Sequence, residues 1–586
     1  MSTNPKKLTF SFDASSYWAC GLFLFALAYR LLGVGWGLPN DRHWVSLHPD
    51  EPIIYLYSQQ VRPGQLSFDP GFYNYGTLYL TLLRVSSDMI NSYGGGPKTK
   101  SEEDTWRFIG RVDVAGRVIN CLSGALTAAL VFLALRRRTY LWGAVAGGIA
   151  MAVAPGHVIH SRFQTVDVFA AMLFLASVFC SMQIVPNRGG EYDEEPKWLK
   201  LALLAGLFAG LSGGTKYSGV LAILSLYAAC CFIPIRQRLR LAAVGTGATV
   251  LGFFLGTPGV LTSTSKFIED FRFEMNHTMA GHGLVFAGTQ SGFLYHLANL
   301  SAGFGVILLI LGAGGLLAAA IRKHPWAFVI LAAAIPTYIL FGRAEVKFFR
   351  YVLPLMPLLA IGFGWLIGQA QLSPKRAWRV IVVAGLFGIG ASFSQSLIAT
   401  TYMMSKDPRD EAAEYLAKST QPGEFVGLVT DPWFQSPTLY PLTAAPRSAP
   451  VQLRDEYMRS AEHPRVLRIA PENQADRKDW DLRLIDAKPQ FIAYSSFEND
   501  DLARLARQAN VEEEYVGQVA DYKSFMEAMQ KDYKLDNIFG LGGPTIHDLM
   551  YIRPTIYIWK RKTDSTTPLN GSSTTSGSNE VPASTP

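Results

Sequence analysis

Long apolar runs alternate with short polar segments over the first two thirds of the chain. Eleven of these runs are long enough to cross about 30 Å of hydrocarbon as helices. We therefore predict eleven membrane spans, with approximate limits 17–36, 110–135, 141–157, 166–186, 199–213, 217–235, 240–258, 297–320, 326–342, 350–370 and 378–398. Only a few residues separate the fifth and sixth runs, which predicts a tight helical hairpin.

Basic residues orient these predicted spans, because short cytoplasmic loops are enriched in Lys and Arg. Clusters occur on every second loop, and comprise Lys6 and Lys7, Arg136 to Arg138, Arg188, Lys197 and Lys200, Arg236, Arg238 and Arg240, Arg322 and Lys323, and Lys375, Arg376 and Arg379. This alternation fits eleven spans with residues 1–16 in the cytoplasm, and ten or twelve spans break it. The outer side then receives the loops 37–109 and 258–296.

Near residue 400 the long apolar runs end, and the alternation of polar and apolar residues becomes that of a soluble domain. An amphipathic helix is predicted to begin at 407–411. Strands are predicted at 424–430, 488–494 and 555–559, with a helix at 499–509 between the last two. This alternation is typical of a small α/β domain. We predict a membrane domain at 17–400, an extracytoplasmic α/β domain at 401–562 and a disordered tail at 563–586.

Composition agrees with a chain that resides in a lipid bilayer. Of the 586 residues, 49% are hydrophobic and only 17% are charged, whereas soluble proteins average about 25% charged residues. The five cysteines lack zinc-site spacing and none follows Cys231, so disulfides cannot stabilise the C-terminal part. Nothing indicates a nucleic-acid partner.

Two adjacent carboxylates, Asp50 and Glu51, follow the first span between Pro49 and Pro52. Adjacent acids repel each other, and near a low-dielectric boundary the pair needs a metal, a cation or a proton. On local sequence alone the pair reads as a solvated helix N-terminus. On the outer face, opposite unexpected cations, Asp50 and Glu51 become the candidate catalytic residues, with Asp50 as the leading candidate for the base.

Charged residues near the membrane supply the other candidates, because a charge at the bilayer centre costs about 2.5–3.5 kcal/mol and usually faces a cavity. Asp113 and Arg117 are four residues apart and are spaced to pair on one helix face. The group of His157, His160, Arg162 and Asp167 leaves metal binding and interfacial hydrogen bonding both open.

A second set of cations lies on the predicted outer side. Lys216, beside Tyr217, has no obvious acidic partner in sequence, and either snorkels to the interface or acts as a fixed cation. Arg343, Lys347 and Arg350 surround Glu345 where the positive-inside rule predicts few cations. An anionic ligand explains this cluster better than a topology signal does.

Together these features suit displacement of a phosphate from an anomeric carbon. A carboxylate would remove the proton from the incoming hydroxyl, and cations would stabilise the departing phosphate.

Several motifs also carry a family resemblance. They are His48-Pro49-Asp50-Glu51, Gly116-Arg117, the Pro155 to Asp167 stretch with Ser161-Arg162, Lys216-Tyr217, and Arg350-Tyr351-Val352-Leu353-Pro354. Over residues 15–400 the chain resembles integral-membrane glycosyltransferases of the GT-C fold, in the family 39 group of protein O-mannosyltransferases and the lipid A aminoarabinose transferase.

The resemblance implies a polyprenyl-phosphate-linked sugar donor, inversion at the anomeric carbon, and a protein, lipid or glycan acceptor that offers a hydroxyl or an amine. It places the base at Asp50, with Glu51 as its neighbour or as a metal ligand, and leaves a divalent metal open. The expected donor-phosphate residues are Lys216, Tyr217, Arg350, Tyr351, Arg343 and Lys347. The expected supporting or substrate-binding residues are Arg117, His160, Arg162, Asp167, Tyr73 and Tyr75.

A secondary transporter of an anionic solute is the alternative function, since eleven spans with intramembrane charge would suit one. Against it, the two halves show no evident repeat and the charges collect at one face. A membrane-anchored sensor or scaffold would leave the cations unexplained. The expected location is the cell (inner) membrane, with a cytoplasmic N-terminus.

Overall fold

The computed structural model describes residues 14–99, 101–186, 197–371, 376–421, 424–439, 465–467 and 478–562. Lys6, Lys7, Arg188, Lys375 and the predicted disordered tail at 563–586 lie outside these residues.

The described chain is mostly helical, with a small sheet near its C-terminus. The α-helices up to residue 404 are α1 (Ala14–Leu31), α2 (Glu51–Ser58), α3 (Leu78–Ile90), α4 (Glu102–Arg136), α5 (Leu141–Ala152), α6 (Pro155–His160), α7 (Asp167–Met182), α8 (Trp198–Gly213), α9 (Ile223–Cys230), α10 (Ile235–Gly256), α11 (Thr264–Ala280), α12 (Gly292–Phe304), α13 (Val306–Ile321), α14 (Pro325–Gly342), α15 (Leu355–Gln371) and α16 (Arg376–Met404). Each predicted span overlaps at least one of them.

By length and composition, four helical stretches of the described residues can cross a membrane alone: Glu103–Arg136, Ile235–Gly256, Pro325–Gly342 and Trp378–Ser419. A fifth candidate is the pair α12 and α13, and several shorter apolar helices lie between these. The helices thus confirm an apolar helical bundle, and the number of eleven spans stays a prediction.

The predicted span 297–320 is not one straight helix. The chain bends by 110° between α12 and α13, at Gly305, whose φ of 100° is unfavourable for a residue with a side chain. The apolar run is uninterrupted at this point, so hydrophobicity alone did not reveal the bend.

Small residues let neighbouring helices approach closely, as is common in membrane bundles. A Cβ atom at Gly206 of α8 would lie 2.1 Å from the carbonyl oxygen of Gly245 in α10, and one at Gly210 would lie 2.1 Å from that of Thr249. The close packing of α8 against α10 therefore depends on glycine at both positions.

Beyond α16 the predicted strands and helices are present. The helices are α17 (Pro408–Ser419), α18 (Arg483–Asp486), α19 (Ser496–Ala506), α20 (Val516–Asp532) and α21 (His547–Met550), and the strands are β1 (Phe425–Leu428), β2 (Arg465–Leu467), β3 (Phe491–Ser495), β4 (Tyr533–Phe539) and β5 (Ile556–Arg561). The sheet order is β2-β1-β3-β5-β4. Strands β1, β2 and β3 are parallel, and β5 pairs antiparallel with β3 and β4.

This C-terminal region, residues 407–561, docks on the membrane part through polar contacts. The Arg504 guanidinium donates to the carbonyl oxygens of Leu284, Val285 and Ala287, at 2.9, 3.3 and 3.1 Å. The Trp36 indole donates to the carboxylate of Asp407 at 3.2 Å. The contacts of Arg504 bring α19 over the predicted outer loop 258–296.

Candidate active site

The two adjacent acids have opposite environments, and Glu51 is the buried one. Its side chain has no exposed surface, and neither has that of Arg117. Arg117 donates to both Glu51 oxygens, at 2.9 and 2.6 Å, and the Gln164 amide donates at 2.6 Å. The Ser46 hydroxyl also donates to this carboxylate.

Burial alone would raise the pKa of Glu51, but the charge and hydrogen bonds of Arg117 outweigh it and hold the pKa below its ordinary value. Arg117 also donates to the carbonyl oxygens of Val34 and Trp36, at 2.7 and 2.6 Å. The predicted Asp113–Arg117 pair is replaced by this Glu51–Arg117 pair, which joins α4 to the first residue of α2.

Asp50, by contrast, keeps 22% of its side chain exposed. It precedes α2, and its side chain makes no capping hydrogen bond. Its backbone amide donates to His48 Nδ1 at 3.2 Å. Burial lowers the pKa of His48, so the imidazole is neutral and can accept this bond. The backbone of Asp50 is therefore fixed, while its carboxylate oxygens are accessible.

Asp50 opens into a cavity of about 810 Å³ between the membrane part and the C-terminal region. Arg350 lines the same cavity, and its guanidinium lies 3.4 Å from the Asp50 carboxylate. The opposite wall includes Trp433, Trp480 and Glu498. The volume falls within the ~300–1,000 Å³ typical of small-molecule sites.

Arg350 also lines a second, small cleft of about 10 Å³ that contains Lys216, Asp167 and Tyr351. Lys216 pairs with Asp167 at 2.5 Å and lies 4.6 Å from the centre of the Tyr351 ring. The acidic partner of Lys216, absent from its sequence neighbourhood, is thus Asp167. Arg350 connects this cleft to the Asp50 cavity.

The predicted tyrosines divide into supporting and site residues. The Tyr217 hydroxyl donates to the carbonyl oxygens of Tyr73 and Tyr75, at 2.6 and 3.0 Å. The Tyr73 hydroxyl donates to Asp69 at 3.0 Å, so Tyr73 and Tyr217 support the loop. Burial and the charge of Asp50 raise the pKa of Tyr75 well above its ordinary value, so its hydroxyl stays a proton donor.

Other predicted site residues lie away from the cavity. Arg162 is buried and donates to the carbonyl oxygens of Arg30 and Tyr29, at 3.1 and 2.9 Å. Lys347 is buried and pairs with Glu345 at 3.1 Å. Arg343 is exposed and does not line the cavity. The predicted cluster of three cations therefore contributes one of them, Arg350, to the site.

Asp548 of α21 is a site residue that sequence reasoning missed. Its carboxylate is buried, accepts from the amides of Phe349 and Arg350 at 2.9 and 3.0 Å, and lies 3.9 Å from the Arg350 guanidinium. His160 lies 3.8 Å away; burial lowers its pKa to about 4, so it is neutral. The one signal in the sequence that could have pointed to Asp548 was its position directly after His547, a pair of titratable residues in the C-terminal region.

The residues do not fit a metal centre. In the ranges that the structure describes, no group of three or more His, Cys, Asp or Glu side chains is placed to hold a metal ion. Both oxygens of Glu51 accept hydrogen bonds from protein donors, so the suggested role of Glu51 as a metal ligand does not fit its contacts.

Comparisons with known structures give similarities over most of the chain. ArnT from Cupriavidus metallidurans bound to undecaprenyl phosphate has 15% identity and a TM-score of 0.48, with 93% of this chain and 98% of that chain covered. The Archaeoglobus fulgidus oligosaccharyltransferase in the apo form has 13% identity and a TM-score of 0.48, covering 94% and 75%. The S. cerevisiae protein O-mannosyltransferase Pmt1-Pmt2 complex has 17% identity and a TM-score of 0.32, covering 49% and 37%.

No curated protein matches this chain in sequence. A family model does match, over residues 22–248, which include the acidic turn, Arg117, Asp167 and Lys216. This match confirms the family resemblance predicted from the sequence motifs. The model that matches residues 22–248 is that of the dolichyl-phosphate-mannose-protein mannosyltransferase family.

Proposed function

We propose that this chain is a membrane glycosyltransferase that moves a sugar from a polyprenyl-phosphate-linked donor to an acceptor hydroxyl or amine, with inversion. One observation carries the proposal. A partly exposed carboxylate, Asp50, and a cation, Arg350, face one cavity at 3.4 Å, while the neighbouring acid Glu51 is buried and fully hydrogen-bonded.

In this reaction Asp50 is the general base. It takes the proton from the acceptor hydroxyl or amine as the acceptor oxygen or nitrogen attacks the anomeric carbon. The bond from that carbon to the phosphate oxygen breaks on the opposite face, and its electron pair leaves with the polyprenyl phosphate. General-base catalysis of this kind contributes about 10²- to 10⁴-fold in rate.

Arg350 stabilises the departing phosphate, because a guanidinium pairs well with phosphate oxygens. In the structure Asp50 and Arg350 pair with each other at 3.4 Å. A donor phosphate on Arg350 replaces that contact and frees Asp50 to act as base. Lys216 is the second cation, and it reaches the phosphate after its side chain moves from Asp167, since the present cleft is too small for a phosphate.

The remaining residues support these two. Tyr75 is a hydrogen-bond donor beside the site, Tyr351 packs under Lys216, and Arg117 with Glu51 holds the turn that carries Asp50. We place the site on the extracytoplasmic side of the cell (inner) membrane, with residues 17–400 as the membrane domain and 401–562 as an extracytoplasmic domain. The alternation of basic loops supports this orientation.

The test is sugar transfer by the purified chain in lipid nanodiscs. A panel of radiolabelled polyprenyl-phosphate sugars serves as donors, and a cell-envelope extract supplies the acceptor. Asp50→Asn is expected to lower transfer by about 10²- to 10⁴-fold while the protein stays monodisperse. Asp88→Asn is the matched control, since Asp88 lies in the same loop in an exposed pair with Arg84. Near-normal transfer by Asp50→Asn would refute the assignment of the base.

A further inference from the structure

The contacts of Asp548 assign a role to the C-terminal region. Its carboxylate accepts the backbone amides of Phe349 and Arg350, at 2.9 and 3.0 Å, one on each oxygen. The Arg350 guanidinium lies 3.9 Å from one of these oxygens. Asp548 thus contacts both the backbone and the side chain of the arginine that faces Asp50.

These contacts are strong because they are buried and charge-assisted. The side chain of Asp548 is 1% exposed and that of Arg350 is 10% exposed. An isolated buried carboxylate is costly, and two amide donors and a nearby cation offset that cost. The segment that precedes α15 is therefore held in place by a residue almost 200 positions further along the chain.

Aromatic contacts fix α21 against the same two loops. The His547 ring lies 5.7 Å from the Phe348 ring, and the Tyr551 ring lies 4.9 Å from that of His48. One short element of the C-terminal region thus contacts the loop of Arg350 and the turn of Asp50. Its position sets the distance between the base and the cation.

We propose that Asp548 is a positioning residue that orients Arg350 for the donor phosphate, so that the C-terminal region forms part of the donor site. The inference rests on the proposed function, because it takes Arg350 as the cation that binds the donor phosphate. The Arg350 guanidinium lies near two carboxylates, those of Asp50 and Asp548. A phosphate can therefore displace Asp50 from Arg350 while Asp548 still accepts from the backbone amides of Phe349 and Arg350.

The first test is hydrogen exchange of the full-length chain in detergent. Asp548→Asn removes the charge and one of the two acceptor oxygens. Exchange at the amides of Phe349 and Arg350 should rise about tenfold, equivalent to about 1.4 kcal/mol, since a hydrogen bond to a charged acceptor is stronger than one to a neutral acceptor. Unchanged protection would overturn the inference, whatever the chain catalyses. If Asp548→Asn does not fold, Asp548→Ser replaces it.

The second test is binding of a short-chain polyprenyl phosphate alone, followed by donor kinetics. The dissociation constant for polyprenyl phosphate and the KM for the donor should both rise about tenfold in Asp548→Asn, with a smaller change in kcat. Asp536→Asn is the matched control, because Asp536 accepts a hydrogen bond from Tyr415 within the same region. Equal changes in both variants would mean general destabilisation and would overturn the inference.

The binding measurement separates this inference from the proposed function. Weaker binding in Asp548→Asn, with no sugar transfer by the wild-type chain, would refute the transferase and leave the positioning role supported. Normal transfer by the wild type, with unchanged binding of polyprenyl phosphate in Asp548→Asn, would support the transferase and refute the positioning role.

Discussion

Substituting Glu51 with Gln tests whether the two adjacent acids have the different roles that their surroundings indicate. Gln has the same shape as Glu but carries no charge. In the structure Glu51 accepts from Nε and Nη2 of Arg117, from the Gln164 amide and from the Ser46 hydroxyl, with no exposed side-chain surface. The change therefore leaves a buried Arg117 without its counter-charge.

The expected cost is large, because removing one partner of a buried ion pair destabilises by about 3–5 kcal/mol. Asp50→Asn should cost less, since Asp50 keeps part of its side chain exposed and Arg350 retains Asp548 as a second carboxylate. Thermal unfolding in detergent, followed by intrinsic fluorescence, measures both. Glu51→Gln should lower the midpoint clearly, and Asp50→Asn should leave it near that of the wild type.

A double variant makes the test sharper. Adding Arg117→Met to Glu51→Gln removes the uncompensated charge, so the double variant should be more stable than Glu51→Gln alone. If Glu51→Gln keeps the wild-type midpoint and still loses sugar transfer, Glu51 takes part in the chemistry and the reasoning from its burial is refuted.

Three further predictions follow from the charges around the site. Lys216→Ala should raise the donor KM about tenfold, because it removes the second cation of the phosphate site, and Lys216→Arg should restore part of it; an unchanged KM would remove Lys216 from that site. Arg343→Ala should leave the donor KM within about twofold of the wild type, since Arg343 is exposed and does not line the cavity; a tenfold rise would contradict the cavity assignment. Because the folded-state pKa of Glu51 lies below its ordinary value of 4.5, its stabilisation is complete above pH 4.5 and is lost as pH falls through the folded-state pKa; the unfolding midpoint should drop there more steeply in the wild type than in Glu51→Gln, and equal slopes would contradict this.

Sequence reasoning found the helices and the acidic turn because both are local signals. An apolar run predicts a helix in lipid whatever it packs against, and all eleven runs coincide with helices. The apolar pattern missed the bend at Gly305, because hydropathy does not record backbone conformation.

The roles within the site depended on contacts between distant residues. Nothing local distinguishes Asp50 from Glu51, and the distinction comes from Arg117, which lies 66 residues from Glu51. Lys216 has its acidic partner 49 residues away, and Lys347 is occupied by Glu345 and by Thr289. Counting charges in sequence therefore overestimated the number of cations available to a ligand.

The sequence by itself determined that this chain is a helical membrane protein with an acidic turn after its first span, because burial in lipid requires long apolar runs and leaves charges conspicuous. Only the tertiary structure decided which acid is accessible, which cation faces it, and that Asp548 holds that cation in place. The physical reason is that accessibility and charge balance are set by neighbours in space, which the folded chain brings together from opposite ends of the sequence.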